Sequence, residues 1–352
     1  MEPLNIRIAT AINRDDLKEY CPGLFHGYTG ISVFFYHLAK VTGNSGYQKI
    51  ADDLVDGIFS DLNLMAPLDF EKGLAGIGWG IEYLVQNHFA EGNTDEILEE
   101  VDNKIFKLLN EETFTSFELT NGLSGYLFYL INRLKNKEPY DSMAKQINRE
   151  LFILAVNKLY DLVTPQFPVI VKDFYFDLFW RFPVMLFALI EAYNLNIYNQ
   201  KIVCMIKQWL PNFEAYIPSL QINRLYMATV LKQIHSKIPE HRLEKQIKLL
   251  LFSTDFKALK SEIDPDLKSV RFGLPGFMII LDQAAKSFSA DFPYYSDLLE
   301  TRNVLKKELS SLFGSFSTID FKSKQTMYGL SEGIAGLGLI NILIPELTAD
   351  DN

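Results

Sequence analysis

Residues 121–134 read NGLSGYLFYLINRL, in which Gly122 and Gly125 stand directly before a long apolar run. The same order of G-x-x-G followed by an apolar, helix-like segment occurs four more times. The other copies are HGYTGISVFFYHLAK (26–40), KGLAGIGWGIEYLVQ (72–86), FGLPGFMIILDQAAK (272–286) and EGIAGLGLINILIPE (332–346). A local pattern that recurs along a chain indicates a repeat architecture.

The first glycine of each copy, which we call its anchor, gives the length of the repeat. The anchors are Gly27, Gly73, Gly122, Gly273 and Gly333. The wide gap before Gly273 has room for two copies without glycines. We assign them to RFPVMLFALIEAY and RLYMATVLKQI, with Arg181 and Arg224 at the anchor position. The seven anchors then lie about 43 to 60 residues apart, which suits a helical hairpin repeat.

Each repeat holds a second helical pattern behind the apolar one. Residues 47–62 and 94–112 each carry one apolar face on an otherwise charged segment, as amphipathic helices do. These faces comprise Ile50, Leu54, Val55 and Ile58 in the first repeat, and Ile97, Val101, Ile105 and Leu108 in the second. The first helix of each repeat is apolar nearly all round, which is typical of a buried helix. Each repeat is therefore predicted to pair one buried helix with one half-exposed helix.

Seven such hairpins can close into a ring, an (α/α)7 toroid with an inner barrel of parallel helices. Closure explains why neither end of the chain shows the polar capping repeat that an open solenoid needs. We therefore predict one all-α domain over residues 1–352. The glycines lie where the chain enters each inner helix, because a residue without Cβ permits unusual backbone angles and close backbone approach. The N-terminal N–H groups of the inner helices should face a common cavity.

The composition excludes several classes of partner. The 352 residues carry a net charge of −10, and no basic stripe exists that could neutralise the phosphates of a nucleic acid. No apolar run is long enough to span a membrane, and the first residues do not resemble a secretory signal. Cys21 and Cys204 are the only cysteines, too few for a disulfide framework, so a reduced cytoplasmic setting is expected.

Three stretches together resemble the lanthionine synthetase C (LanC-like) cyclases. GLFHGYTGISVFFYHLAKVTGN (23–44) is similar to that family's opening repeat, FELTNGLSGYLFYLI (117–131) to its third and GLSEGIAGLGLINIL (329–343) to its last. The resemblance covers most of the chain. It implies an (α/α)7 toroid, a central zinc ion, and formation of thioether rings in ribosomally made peptides. It also implies a peptide substrate and a dehydratase partner.

The chain departs from the family where the zinc ligands should be. The resemblance places a Cys near Ile222 and a Cys-His pair at Arg271 and Phe272. Zinc needs thiolate, imidazole or carboxylate ligands, and Arg271 would repel a cation. The family's catalytic His maps near Trp180, and an acidic residue of its third repeat maps onto Glu118. We therefore expect no zinc and no other cofactor.

Carboxylates occur four residues before three successive anchors, at Asp69, Glu118 and Asp177. In a ring they would line one sector of the cavity rim, where they could bind a cationic group or serve as acid and base. The alternative interpretation is capping of the helix N-termini, which acidic residues favour. Both interpretations are open. Asp69, Glu118 and His26 are the candidate catalytic residues.

His26 and Glu332 directly precede the first and last anchors, which ring closure makes neighbours. A hydrogen bond between them would be a structural clasp or a base with its orienting group. The aromatic stretch VKDFYFDLFWRFPV (171–184) is either core or a wall that holds a peptide or a sugar. Asp177, Trp180, Arg271 and Glu332 are the candidate substrate-binding residues. The loop SEIDPDLKSVRFGLPG (261–276) could place Arg271 against the carboxylates opposite.

Three classes of function compete. The first is a zinc-independent LanC-like protein of peptide modification, either a divergent cyclase or a non-catalytic peptide binder. The second is a carbohydrate-active toroid enzyme that uses paired carboxylates such as Asp69 and Glu118. The third is a structural partner subunit. The glycine repeats favour the first. The active or binding surface should lie at the mouth formed by the inner-helix N-termini.

Overall fold

The computed structural model describes residues 3–12, 17, 20–61, 66–135, 142–170, 175–214, 216–264, 266–290, 292–314 and 327–344. These residues form fifteen α-helices, and they contain no β-strand. None of the described helices combines the length and the apolar character that a membrane crossing requires. The predicted all-α class is confirmed.

The helices follow the predicted hairpin order. They are α1 (Leu4–Ala11), α2 (Tyr28–Thr42), α3 (Ser45–Asp61), α4 (Leu74–Gln86), α5 (Thr94–Ile97), α6 (Glu99–Glu111), α7 (Leu123–Lys135), α8 (Met143–Ile170), α9 (Arg181–Asn194), α10 (Asn199–Glu214), α11 (Gln221–Lys237), α12 (His241–Phe252), α13 (Leu274–Ser287), α14 (Tyr295–Gly314) and α15 (Ile334–Leu343). A short 3-10 helix, Leu259–Glu262, precedes α13.

The helices group into two compact units. The first unit comprises Met1–Pro165, Glu191–Asn199 and Phe321–Ile342, and it contains the first, second, third and last anchor glycines. The second unit comprises Gln166–Ile190, Gln200–Asp320 and Leu343–Asn352. That residues 1–352 form a single domain stays a prediction.

The difference in burial between the first and second helix of a repeat is as predicted in the first repeat. In α2, every residue from Tyr28 to Leu38 is buried. In α3, Leu54 and Ile58 are buried on one face. The second outer helix differs from the prediction, because the helix is interrupted at Leu98, which separates the short α5 from α6. Ile97 therefore leaves the predicted apolar face and is 37% exposed.

The anchor glycines are required because loop backbone lies against them. A Cβ on Gly27 would come within 2.0 Å of the Cys21 carbonyl oxygen, and one on Gly73 within 2.2 Å of the Pro67 carbonyl oxygen. The backbone angles are extended, with φ of −130° and −96°, so any residue could adopt them. Close approach is confirmed as the reason for glycine, whereas the expectation of unusual backbone angles at these anchors is wrong.

The same loops satisfy the first N–H group of each inner helix in the first unit. Tyr28 N donates to Cys21 O at 3.0 Å, and Leu74 N donates to Pro67 O at 2.9 Å. Leu123 and Ile334 make equivalent bonds to Ser116 O and Met327 O, at 3.1 and 2.8 Å. These N–H groups therefore do not face an open cavity, which corrects the expectation that they would, because the folded-back loop supplies their acceptors.

Neighbouring loops of the first unit are joined edge to edge. Leu330 N donates to Phe25 O at 2.8 Å, Phe25 N to Glu71 O at 3.0 Å, and Phe70 N to Thr120 O at 2.8 Å. The last repeat thus lies beside the first, as ring closure requires. The rings of Tyr20 and Tyr328, stacked at 5.5 Å, reinforce this contact.

Two predicted anchors need correction in the repeats that lack glycine. Because α9 begins at Arg181 and α11 at Gln221, the residues at the anchor position are Trp180 and Leu220. Arg224 lies inside the first turn of α11. In the second unit, Leu178 N donates to Arg271 O at 2.8 Å, so the loop before α9 joins the loop before α13. Without the glycine pair, nothing in the sequence pattern fixes the register of these two repeats.

A buried charge cluster ties together the second and third hairpins. Arg133 is 2% exposed and binds three carboxylates. Its guanidinium nitrogens lie 2.6 Å from Glu82 Oε2, 3.0 Å from Asp95 Oδ1 and 2.9 Å from Asp102 Oδ2. Tyr129 donates to Asp102 Oδ1 at 2.6 Å, and burial raises the pKa of the Tyr129 hydroxyl. Arg133 is therefore the cation on which several buried acidic groups depend.

We expect Gly73→Ala to lower the free energy of unfolding by about 1–3 kcal/mol, because the loop must shift to admit the new methyl group. Gly57→Ala is the matched control. A Cβ there meets only the Tyr28 ring at ordinary contact distance, and the position lies within α3. Alanine should stabilise that helix by about 0.5–1 kcal/mol. Urea unfolding monitored by circular dichroism measures both values, and equal effects at the two positions would contradict the packing explanation.

We expect Arg133→Ala to cost about 3–5 kcal/mol of stability, because it leaves buried carboxylates without their cation. Arg242 is a matched control, since it also makes a bidentate pair, with Glu214, but is 47% exposed. Arg242→Ala should cost far less, because water and salt screen an exposed ion pair. Chemical denaturation of both variants checks the difference, and a small loss for Arg133→Ala would show that the cluster is not structural.

Candidate functional site

Asp177 and Arg271 form a bidentate ion pair in the second unit. Arg271 Nε donates to Asp177 Oδ1 at 3.0 Å, and Nη2 donates to Oδ2 at 2.9 Å. The two side chains are 13% and 20% exposed, so the pair is accessible at one edge. The backbone N–H of Phe179 also donates to Asp177 Oδ1 at 2.8 Å. The sequence-based suggestion that Arg271 could meet a carboxylate is confirmed for Asp177.

Aromatic rings surround this pair. The guanidinium carbon of Arg271 lies 5.1 Å from the centre of the Phe179 ring and 4.6 Å from that of Phe272. Tyr175 is 66% exposed and lies 6.4 Å from Phe272, measured between ring centres. Cation–π contacts hold the planar guanidinium in place and leave its edge for the carboxylate. A partly exposed cation framed by aromatic rings is suited to holding a peptide group or a carboxylate.

Much of the aromatic stretch is core. Trp180 is 7% exposed and packs between the rings of Phe182 and Tyr216. Its indole Nε1 is buried and has no hydrogen-bond partner among the described residues. Within this stretch, the Phe179 ring lies against the guanidinium of Arg271 and the exposed Tyr175 ring lies near Phe272, so these two rings could contact a ligand. Asp173 and Phe174 of the same stretch lie outside the described residues.

Asp69 acts as a turn cap in the first unit. Its Oδ1 accepts the backbone N–H groups of Glu71 at 3.0 Å and Lys72 at 2.8 Å, just before α4. This supports the capping interpretation for Asp69. Because Trp180 occupies the anchor position, Asp177 does not share the offset of Asp69. The regular spacing of the carboxylates in the sequence therefore does not reflect one shared role, because Asp69 caps a turn and Asp177 pairs with Arg271.

His26 pairs with a residue that the sequence analysis did not select. Its Nε2 lies 2.8 Å from Glu71 Oε1, and the ring is 5% exposed. Since an ionised carboxylate only accepts, Nε2 carries the proton in this bond. Nδ1 is buried and makes no hydrogen bond among the described residues. The expected bond to Glu332 is therefore wrong, because the adjoining loop before α4 presents Glu71 to the imidazole.

Glu118 and Glu332 lie on loops adjoining those of Asp69 and His26. Glu118 N donates to Ser116 Oγ at 3.2 Å, and Gly122 N donates to Glu118 O at 3.0 Å. Glu332 comes directly after Leu330 and Ser331, whose N–H groups donate to Phe25 O of the first loop. His26, Asp69, Glu118 and Glu332 thus lie on joined loops of the first unit. That these four share one surface with Asp177 and Arg271 stays a prediction.

Two tyrosines belong near these carboxylates although the sequence pattern did not indicate them. The pKa of Tyr126 is raised to about 12, mainly by burial and secondly by the charge of Asp69. The pKa of the Tyr226 hydroxyl is also raised, mainly by burial and secondly by the charge of Asp177. This hydroxyl donates to Leu178 O at 3.0 Å. Both hydroxyls remain protonated at neutral pH. A search at two residues before each anchor, rather than four, would have found Glu71 together with Arg271.

The positions that the family resemblance gives to zinc ligands do not fit a zinc ion. Ile222 is fully buried and apolar, and the Phe272 ring packs on the guanidinium of Arg271. Arg271 brings a fixed positive charge and no lone pair. Among the described residues, no group of three or more His, Cys, Asp or Glu side chains has an arrangement suited to a metal. Cys21 and Cys204 are exposed and unpaired with each other.

Comparison with known proteins agrees with this architecture. The family model of lanthionine synthetase C-like proteins matches residues 20–167. The solved structure of nisin cyclase superposes with a TM-score of 0.66 at 14% sequence identity, covering 97% of this chain and 93% of nisin cyclase. That match shows the fold, so the predicted LanC-like toroid class is confirmed. No curated protein sequence matches the chain.

We expect Asp177 and Arg271 to be energetically coupled by about 1–3 kcal/mol, between the values for exposed and fully buried pairs. Asp177→Asn, Arg271→Gln and the double variant form the cycle that isolates this term. Urea unfolding curves at low ionic strength provide the free energies, because urea carries no charge that would screen the pair. If the losses of the two single variants simply add in the double variant, the ion pair contributes no coupling free energy to stability.

Proposed function

We propose that the chain is a LanC-like protein of ribosomal peptide modification that works without zinc. In this proposal it binds a precursor peptide at the loops that precede the inner helices. It is then either a divergent cyclase or a peptide-binding relative without catalytic activity, and a dehydratase is the expected partner enzyme. The observation that carries the proposal is the Arg271–Asp177 pair at a position where the family resemblance implies a zinc ligand.

The chemistry of the Arg271–Asp177 pair explains why this pair and a zinc ion exclude each other at the same position. Zinc promotes thioether formation by stabilising a thiolate, which requires soft or imidazole ligands around a cation. Arg271 instead provides a permanently protonated guanidinium, which binds carboxylates through paired hydrogen bonds. A peptide carboxylate or backbone carbonyl could bind this group at its exposed edge. Binding therefore remains possible where metal-assisted thiol activation is not.

The charges predicted near the starts of the inner helices favour a peptide over a simple anion. The sequence places Asp69, Glu118 and Asp177 near the helix entrances, together with Arg271. A ligand that carries both signs of charge, such as a peptide, can satisfy both kinds of group. Since loop carbonyls already accept the first N–H groups of the inner helices in the first unit, those helix ends offer little to a phosphate.

The carbohydrate-active alternative has less support. It requires Asp69 and Glu118 to act as an acid and base pair, yet Asp69 Oδ1 is engaged by two backbone N–H groups. These bonds account for Asp69 as part of the turn without an acid–base role. A role as a structural partner subunit remains an alternative, and it predicts no affinity for a peptide.

We expect the purified chain, after dialysis against a chelator, to bind a dehydrated precursor peptide of a lanthionine pathway. The test variant exchanges the two charges, Asp177→Arg with Arg271→Asp, which keeps an ion pair but reverses its direction. Peptide affinity should fall by about tenfold or more, since a charge-assisted contact is lost. Isothermal titration calorimetry measures the affinity, and a free-thiol assay shows whether a ring forms.

The control exchanges the exposed pair, Glu214→Arg with Arg242→Glu, and should leave affinity unchanged. Elemental analysis of the protein after dialysis against plain buffer, before any chelator is added, should find far less than one zinc ion per chain. About one zinc ion retained through dialysis would overturn the zinc-independent reading. Unchanged binding by the Asp177–Arg271 exchange would overturn the site.

A further inference from the structure

A cavity of about 700 Å³ lies in the second unit, away from the glycine loops. It is bounded by the C-terminal half of α11, by one face of α12 and by the chain around the end of α13. This size falls within the range of about 300–1,000 Å³ found for ligand-binding clefts. Because α13 has 14 residues and Arg271 precedes its first turn, the two ends lie about 20 Å apart. The cavity is thus separate from the Asp177–Arg271 pair.

The floor of the cavity is a row of four aromatic rings. Phe288 lies 5.5 Å from Phe292, which lies 5.6 Å from Tyr294, measured between ring centres. Phe252 extends the row at 6.0 Å from Tyr294. Phe252 is 74% exposed, more than any other large hydrophobic side chain described, so the row presents an apolar surface that a ligand can cover.

Two hydrogen-bond donors of α11 line one wall of this cavity. Lys232 and His235 are three residues apart, so their half-buried side chains are neighbours on one helix face. His235 Nδ1 accepts the Glu240 N–H at 3.2 Å, and the neutral ring must then carry its proton on Nε2. The Lys232 ammonium has no carboxylate partner among the described residues. The wall therefore offers an ammonium group and an N–H group to an acceptor.

The other charged side chains of the described lining already have partners of opposite charge. Lys248 lies 2.7 Å from Glu244, and Lys286 lies 2.7 Å from Asp282. The hydrogen bond from Lys248 lowers the pKa of Glu244, which therefore stays ionised at neutral pH. A ligand with a second carboxylate would meet this negative charge. The lining thus suits a ligand with one anionic group, placed at Lys232 and His235.

We propose that this cavity binds a small apolar monocarboxylate, either an alkyl acid or an aryl acid. The carboxylate accepts hydrogen bonds from the Lys232 ammonium and from His235 Nε2. Its two oxygens suit two donors that lie one helical turn apart. The hydrocarbon part packs along Phe252, Tyr294 and Phe292. This inference does not rest on the proposed function.

The apolar floor favours a small acid over a peptide segment. A peptide brings an N–H and a C=O group with every residue, and these groups cost free energy when they leave water without a partner. The floor offers them little, because Ile247 and Leu251 of α12 are buried among its aromatic rings. An alkyl or aryl acid carries a single polar group. That group meets the donors of α11, and the remaining hydrocarbon meets the floor.

The test compares two acids with their uncharged alcohols by isothermal titration calorimetry of the full chain. Octanoate is paired with octanol, and phenylbutyrate with phenylbutanol. We expect at least one acid to bind at a single site per chain, and its alcohol to bind about tenfold more weakly, because the alcohol brings no charge to the donors. The acid with the higher affinity distinguishes an alkyl source of the ligand from an aryl source.

Three variants separate the carboxylate contact from the apolar contact. Lys232→Met keeps an apolar stem but removes the charge, so it should weaken the acid by about tenfold and leave the alcohol unchanged. His235→Asn keeps an acceptor for the Glu240 N–H but lacks the Nε2 donor, and it should weaken the acid by about threefold. Phe252→Ala should weaken acid and alcohol alike, by about threefold.

The controls match each change outside the cavity. Lys237→Met removes an exposed lysine from the same helix, and Phe106→Ala removes an exposed aromatic residue; neither should alter affinity by more than about twofold. The proposal is overturned if neither acid binds, if binding does not saturate at one acid per chain, or if the alcohols bind as tightly as the acids. It is also overturned if Lys232→Met weakens the acid no more than Lys237→Met does. Because Phe252 is largely exposed, its substitution tests binding without threatening the fold.

Discussion

The structure depends on one repeated contact, in which loop backbone packs directly on a glycine at the start of an inner helix. The same loop that excludes a Cβ at Gly73 also supplies the Pro67 carbonyl that accepts the first helical N–H group. Packing and capping are therefore satisfied by one piece of backbone. Neighbouring loops then join through further backbone bonds, such as Phe25 N to Glu71 O. Side chains on these loops are free to vary because the backbone holds the geometry.

This dependence explains which parts of the fold could be predicted from the sequence. Where a G-x-x-G pair exists, glycine is the only residue that fits, so the anchor and the helix start can be read directly. Where it is missing, the anchor position holds Trp180 or Leu220, and the apolar periodicity alone left the register uncertain. The break at Leu98 escaped prediction for a similar reason, since the apolar pattern continues across it.

The candidate site was less predictable because its chemistry depends on which loops adjoin. Offsets along the chain suggested that Asp69 and Asp177 were equivalent, yet one caps a turn and the other binds Arg271. His26 meets Glu71 because the first loop bonds to the second at that point. Sequence patterns report which residues occupy loops, but the partner of a polar side chain is fixed by the path of the neighbouring loop.

The same argument indicates how this architecture could change its chemistry without changing its fold. Residues two positions before an anchor lie where one loop bonds to the next, and their side chains, such as Glu71 and Arg271, project from a backbone already fixed by other bonds. Substitution there alters charge and ligand preference but removes no backbone hydrogen bond. Arg133, in contrast, binds three carboxylates at once from within the packed helices. Functional divergence is therefore expected at the loops, whereas the buried cluster constrains every variant that keeps these helices together.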